Sequence, residues 1–326
     1  MEIVFYLKKD RLSMIKKTIP HLLRLCAFWQ RILRSSNIVG IAVNFAKLTR
    51  SSTALERKRH SKKFAQTKWV QYISLLFFIS TTFVATAEEI DLSLYEKSIY
   101  SQNGEDGVLT KIFQLINPSS EFYVEFGAYD GETGSNTCLF RKQKWDGLLL
   151  DRMFEIPELK LYKEFITAEN INQLFQKYNV PINVDLISID IDYNDFYVWK
   201  SLEEKYNAPV VVIEYNATHF PSEDKVVKYL PYFSGDGSNY FGASILALYN
   251  LGRAKGYSLV YADSAGVNLF FIRDDILKEK NIAFKNMNDV EKIYRPPTYG
   301  KGPNGGHRAD PRNRSYLTSV SLMEKN

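Results

Sequence analysis

Carboxylates and amides gather at five places in the sequence, each after a short apolar run. Phe122-Tyr123-Val124-Glu125-Phe126 opens onto Gly127-Ala128-Tyr129-Asp130-Gly131, and Gly147-Leu148-Leu149-Leu150 ends in Asp151. A weaker run, Phe165-Ile166-Thr167, leads into Ala168-Glu169-Asn170. Val184 to Ile189 ends in Asp190-Ile191-Asp192, and Pro209 to Ile213 ends in Glu214-Tyr215-Asn216. A glycine turn between an apolar run and a helix start near Ser135-Asn136-Thr137 lets backbone approach a nucleotide closely. The pattern E-x-G-A-x-D-G is not the G-x-G-x-x-G of dinucleotide enzymes. Glu125 puts a carboxylate where a phosphate would be repelled, which suits a ligand with a cationic amino-acid tail. Asp151 lies 24 residues after Gly127, close to the roughly 20-residue spacing at which an acid grips ribose hydroxyls.

Three kinds of chemistry are open to the later clusters. Asp190, Asp192, Glu214 and Asn216 carry oxygen donors of the kind a hard divalent cation takes, with Asp190, Glu214 and Asn216 as candidate metal ligands. Asp190 and Asp192 are candidate catalytic carboxylates, and His219 is the alternative base for an acceptor proton. The competing explanation of each isolated acid is a helix cap, and five such placements in succession weaken it. Cys138 has no nearby His or CxxC spacing to activate it and is expected to pack as a small apolar residue. Asn216-Ala217-Thr218 and Asn313-Arg314-Ser315 match the acceptor pattern for glycosylation.

The elements that must position these residues follow from hydrophobic period. Val108, Leu109, Ile112, Phe113 and Ile116 mark one face of a helix entered through the turn-rich Tyr100 to Gly107. The Val, Ile and Leu runs that follow are nearly continuous, as in parallel strands buried on both faces. A helix is expected from about Gly242 to Lys255. Tyr257 to Tyr261 and Val267 to Ile272, joined by Asp263-Ser264-Ala265-Gly266, form a closing hairpin with one strand antiparallel to the sheet. Ligands in open α/β sheets bind at the carboxyl ends of the strands, where all five clusters fall.

Residues from about Tyr100 to Arg273 resemble the FkbM-type methyltransferase domain, including its Star-like membrane-anchored branch. The resemblance is carried by YSQNGEDGVL, VEFGAYDGETGSNT, WDGLLLD, LISIDIDYNDFYVW, VVVIEYN and GASILALYNLGRAKGYSLV. It implies a Rossmann-like class I methyltransferase fold, with a mostly parallel seven-stranded sheet and a terminal antiparallel hairpin. It also implies S-adenosylmethionine as methyl donor. By resemblance Glu125, Gly127, Ala128, Asp130, Gly131 and Asn136 fall in the cofactor pocket on the methionine side. Asp151, where the family usually carries Glu, takes the ribose-binding place, and Asn170 closes the set. The implied reaction is methyl transfer to a hydroxyl of a sugar or similar small polar substrate, with a divalent cation as an optional helper.

Composition divides the chain. Residues 1–68 hold 16 Lys and Arg against three Asp and Glu, so the remainder, with 26 basic and 34 acidic residues, is acidic although the whole chain carries +5. A general nucleic-acid-binding role loses its basic footprint there. Trp69 to Ala87 is an uncharged apolar stretch, short for a spanning helix. Its Ala85-Thr86-Ala87 ending also fits a signal cleavage site. Basic flank before and acidic flank after place the N-terminus in the cytoplasm and the domain across the membrane if the stretch anchors it; a cytoplasm-facing domain stays open. The expected layout is a basic extension 1–68, an anchor or signal segment 69–87, a methyltransferase-like domain 98–277 and an irregular extension 278–326. Two other roles compete: a non-catalytic membrane-anchored interaction or trafficking protein that keeps the fold, and a lumenal glycosyltransferase using Asp190-Ile191-Asp192 as a metal-binding DxD motif.

Overall fold

Strands buried on both faces need cover on both, and the chain supplies it by alternating strand and helix. In the computed structural model, which describes residues 89–324, the elements in chain order are α1 (Glu105–Ile116), β1 (Phe122–Phe126), α2 (Cys138–Lys142), β2 (Asp146–Asp151), β3 (Leu161–Lys163), α3 (Ile171–Lys177), β4 (Leu186–Ile189) and α4 (Asp195–Ser201). Then come β5 (Val210–Glu214), α5 (Ile245–Ala254), β6 (Tyr257–Ala262), β7 (Asn268–Arg273), α6 (Asp274–Lys280), α7 (Val290–Ile293) and α8 (Ser319–Met323). The seven strands form one sheet in the order β3-β2-β1-β4-β5-β7-β6. Only β7 runs against the rest, paired antiparallel to β5 and β6. The expected mostly parallel, seven-stranded sheet with a terminal antiparallel hairpin is present. Strand order reverses between β1 and β4, the switch point where such sheets open a crevice.

Period-two alternation sorts the core into two layers. Val124, Phe126, Leu148, Leu150, Ile187, Ile189, Val211 and Ile213 pack with residues of α3, α4 and α5. Tyr123, Leu149, Leu186, Val210, Val212 and Phe270 pack under α1, Phe140 of α2 and Leu277 of α6. Each such side chain contributes about 1.5–3 kcal/mol on burial, so the sheet is a rigid base for the loops at its edges. Helix α1 begins where Asp106 accepts the backbone N–H groups of Ile99, Tyr100 and Ser101 at 2.8, 2.6 and 2.8 Å. Its five apolar positions at helical spacing cover the sheet.

Two boundaries differ from expectation. The third strand is Leu161–Lys163, not the run at Phe165: it pairs with β2 only through Leu149 to Asp151, and the chain then leaves the sheet edge. Helix α5 starts at Ile245 because the Ser244 hydroxyl accepts the Ala247 N–H at 3.3 Å and caps it there.

The Gly-, Pro- and Arg-rich segment after residue 294 has little regular structure but is pinned along its length. Tyr215 donates its hydroxyl to the Arg295 carbonyl at 2.7 Å, and Asn304 donates to the Thr218 carbonyl at 3.1 Å. Asn239 N–H donates to the Arg308 carbonyl at 2.7 Å, and Arg314 pairs with both Asp236 and Asp310. The described residues thus form one compact unit. The apolar stretch 69–87 and the basic extension lie outside the described residues; among those described, no helix is long and apolar enough to cross a membrane.

Candidate functional site

On the face covered by α1, the apolar layer gives way at the carboxyl edge to a polar row. Register sets Glu125 of β1 beside Ser188 of β4. It likewise sets Glu214, the last residue of β5, beside Asn268, the first of antiparallel β7. Glu125 is nearly fully buried and is consumed by the loop that follows. It accepts from Ser135 Oγ at 2.7 Å, the Asn136 N–H at 2.8 Å and Thr137 Oγ1 at 2.5 Å. Burial pushes its carboxyl up, opposed by the bonds from Thr137 and Ser135. Asn136 spans the row by donating its Nδ2 to Ser188 Oγ at 3.0 Å. Glu125 therefore organises the wall of the site.

Gly127 explains how close the strand ends come. Its φ is +72°, and a Cβ there would lie 1.6 Å from the Asp190 carbonyl oxygen, so only glycine fits. Tyr129 and Asp192 also sit at positive φ, +48° and +68°, costly for a side chain of either type. Both strained residues line the same cleft. Asp151 stabilises this geometry. One of its oxygens accepts the Tyr129 N–H at 3.0 Å, and the other accepts those of Met153 and Phe154 at 2.7 and 3.1 Å.

The cleft has two lobes that share Gly127, Tyr129 and Asp190. The wide lobe, about 330 Å³, lies beyond β2 and is walled by Asp151, Met153, Phe154, Phe165, Ile166 and Phe233. The Arg152 guanidinium faces Asp192 across it at 3.6 Å. The narrow lobe, about 40 Å³, lies under the N-terminus of α1 and is lined by Gln102, Glu105, Glu125, Ser135, Asn136 and Asn268, among others.

Asp190 lines both lobes, Asp192 lines the wide one, and Glu214 and Asp195 are charged neighbours that line neither. Burial and the neighbouring Asp195 and Asp192 push Asp190 well above the usual carboxylate range. Burial and the neighbouring Asp190 do the same to Glu214. Burial raises Asp195 to about 7. Asp192 is raised by burial and held back by Arg152. The result is a buried acid pair that holds its protons more tightly than free carboxylates do.

Other expected site residues occupy different roles. Asp130 closes its own turn, accepting the Glu132 and Thr133 N–H groups at 2.9 and 2.7 Å. Gly131, at φ +74°, packs over Leu149, and Ala128 lines the narrow lobe. Asn170 accepts the Thr167 N–H at 2.8 Å and donates to the Phe165 carbonyl at 2.8 Å, which shapes the loop behind the wide lobe. Asn216 is fully buried; it donates to the carbonyls of Asn239 and Phe241 and accepts from Thr218. Its amide is spent, so it fits neither a metal ligand nor a glycosylation acceptor on the folded chain. Among the described residues no group of three or more His, Cys, Asp or Glu is arranged to hold a metal. His219 is buried edge-on against Tyr316, 4.8 Å between ring centroids, and burial lowers it to about 4. It lines neither lobe.

The cleft also contains residues that sequence reasoning missed. Arg152, Met153 and Phe154 directly follow Asp151, so the strand-end rule extended by three positions finds them. Phe233 and Ser234 come from the long connection between β5 and α5, which has no period to reveal them. Tyr299, from the segment after α7, lines neither lobe, but burial and the charges of Glu214 and Asp190 push its phenol up.

No protein-family model matches the sequence, and no curated protein matches it. Among solved structures, an O-methyltransferase family protein from Burkholderia thailandensis aligns at 11% identity over 51% of this chain and 55% of that one, with a TM-score of 0.29. A SAM dependent methyltransferase from Aquifex aeolicus aligns at 13% identity over 50% of this chain and 86% of that one, with a TM-score of 0.26. This chain spans about half the length of the first.

Proposed function

We propose that the chain is an S-adenosylmethionine-dependent methyltransferase acting on an oxygen of a small polar substrate, with a sugar hydroxyl as the acceptor class. The observation that carries this reading is the two-lobed cleft at the point where strand order reverses. Its wide lobe, with an acid at the end of β2 and apolar walls, suits an adenosine. Its narrow lobe, small and lined by carboxylates and amides, suits the ammonium end of an amino-acid head.

When bound, S-adenosylmethionine supplies an electrophilic methyl carbon on a cationic sulfur. Asp151 keeps lone pairs for the ribose hydroxyls beside its three backbone bonds. Met153, Phe154, Phe165 and Ile166 exclude water from the base. Rigid strand ends hold both reactants in line, which is most of what such a transfer requires. Asp190, which lines both lobes, would take the proton of the acceptor hydroxyl with Glu214 as its buried partner, and the bound donor would supply the methyl carbon. Burial makes the pair a stronger base than free carboxylates.

The test is transfer of labelled methyl from S-adenosylmethionine to a panel of sugars and nucleotide sugars by the full chain. Transfer that falls about a hundredfold in Glu214→Gln supports the reading, a loss in the usual range for a general base. A chain that binds S-adenosylhomocysteine yet methylates no hydroxyl in the panel would overturn the oxygen-directed step.

A further inference from the structure

Asn268 has a job that the sheet does not require. The Glu-Asp pair that opens α1 divides its work: Asp106 is tied to three backbone N–H groups, whereas Glu105 turns toward the cleft. Glu105 accepts the Asn103 N–H at 2.6 Å and Asn268 Nδ2 at 2.8 Å. That second bond decides which end of the Asn268 amide is which, because a flipped amide would aim its oxygen at a carboxylate. The other end, Oδ1, is buried and has no hydrogen-bond partner. Asn268 is 3% exposed and lines the narrow lobe together with Glu105, Glu125 and Asp190.

A buried amide oxygen left without a donor is costly, and native folds seldom tolerate one. No protein donor reaches it among the described residues, so its partner must be whatever occupies the lobe, a water in the empty site or a ligand group in the filled one. The lobe, about 40 Å³, holds one or two water-sized groups and excludes a ring or a guanidinium. Its wall is rich in acceptors, and three of the side chains are carboxyls. A compact cation with several N–H donors matches all of these features; an anion or a hydroxyl alone matches few of them.

We infer that Asn268, oriented by Glu105, is the acceptor that recognises a primary ammonium group of the bound ligand. This rests on the proposed function, in which that group is the α-ammonium of the S-adenosylmethionine head. The residue comes from β7, whose first position reaches the ligand edge only because the strand runs backwards.

Calorimetric titration of the full chain with three probes tests it: S-adenosylhomocysteine, its deaminated analogue, and 5′-methylthioadenosine, which lacks the amino-acid head. The wild-type chain should prefer S-adenosylhomocysteine over the deaminated analogue by about tenfold or more, as expected for a buried bond to a charged donor. Asn268→Leu should lose about that factor for S-adenosylhomocysteine while 5′-methylthioadenosine binds as before. Retained binding of the headless probe also certifies the fold of the variant. Equal affinity for the aminated and deaminated probes would overturn the inference without need of a variant. So would an Asn268→Leu chain that binds S-adenosylhomocysteine normally, or one that loses both probes in parallel. A wild-type chain that binds none of the three would fail at the proposed function itself, a pattern distinct from loss of head-group discrimination alone.

Discussion

Two cavities of similar size lie at opposite edges of the sheet. The wide lobe at the carboxyl edge encloses about 330 Å³, and a pocket at the amino edge, between the end of α1 and the start of β4, encloses about 350 Å³. Volume does not separate them; the state of their polar groups does. At the amino edge Asp185 accepts the N–H groups of Ser119, Ser120 and Glu121 at 2.9, 2.7 and 2.7 Å. Arg273 there is bidentate to Asp275 at 2.8 and 2.6 Å. Apart from a buried Asn207 Oδ1, that edge is satisfied from within and its charges serve the fold. At the carboxyl edge, Glu214, Asp195 and Asn268 each keep a buried oxygen without a partner, and the carboxyls are pushed up by burial and by one another. Unpartnered buried oxygens and raised carboxyls thus gather at the carboxyl edge, where a ligand can complete them, while the amino edge leaves one such oxygen.

Substitutions at the two edges should therefore separate stability from binding. The largest effect is expected at the amino edge: Asp185→Ala strands three N–H groups and should lower unfolding free energy by about 3 kcal/mol. Urea denaturation would show the loss, while S-adenosylhomocysteine affinity of the folded fraction stays within about twofold. Next is Asp151→Ala at the other edge, expected to weaken that ligand by about a hundredfold, or about 2.7 kcal/mol. Calorimetry would check it, and a variant that binds normally would erase the contrast between edges.

The third effect is a pH dependence. Burial raises Asp195 from 3.8 to about 7 in the folded chain, so the native state holds this proton more tightly than the unfolded chain does. The associated stability is fully present below pH 3.8 and is lost as pH rises through about 7. Asp195→Asn, which mimics the protonated form, should flatten the fall in urea midpoint over that window. Smallest is Arg152→Ala. Its ion pair with Asp192 spans 3.6 Å between half-exposed side chains, and such pairs contribute about 0–1 kcal/mol. Ligand affinity should change by less than about fivefold, and a larger loss would make Arg152 a direct ligand contact.

Much of the frame was legible because buried parallel strands are written as unbroken Val, Ile and Leu runs. The strands at Phe122, Gly147, Leu186 and Val210 needed no other signal. The three-residue β3 carries no period, so its position slipped to the next apolar cluster. At the site, a rule about strand ends located Asp151 and Asp190 beside the cleft, since a parallel strand delivers its last residue there. The same rule passed over Asn268, because an antiparallel strand delivers its first. Nor could sequence show which way a carboxylate faces. Glu125 lines the narrow lobe, yet its oxygens already accept from Ser135, Asn136 and Thr137. Asn216 and His219 stand close to Glu214 in sequence, yet one is spent on loop carbonyls and the other is shut against Tyr316. Those outcomes depend on the residues 218–241 and 295–316, whose irregular path has no period to read.

The central claim is that the carboxyl edge of this sheet is a nucleoside site completed by its ligand. Titration of the wild-type full chain with S-adenosylhomocysteine, followed by calorimetry, tests it most directly. The account predicts saturable one-to-one binding in the micromolar range that Asp151→Ala weakens about a hundredfold and Asp185→Ala spares. A folded chain that takes up no S-adenosylhomocysteine, or one whose binding is lost only at the amino edge, would contradict it.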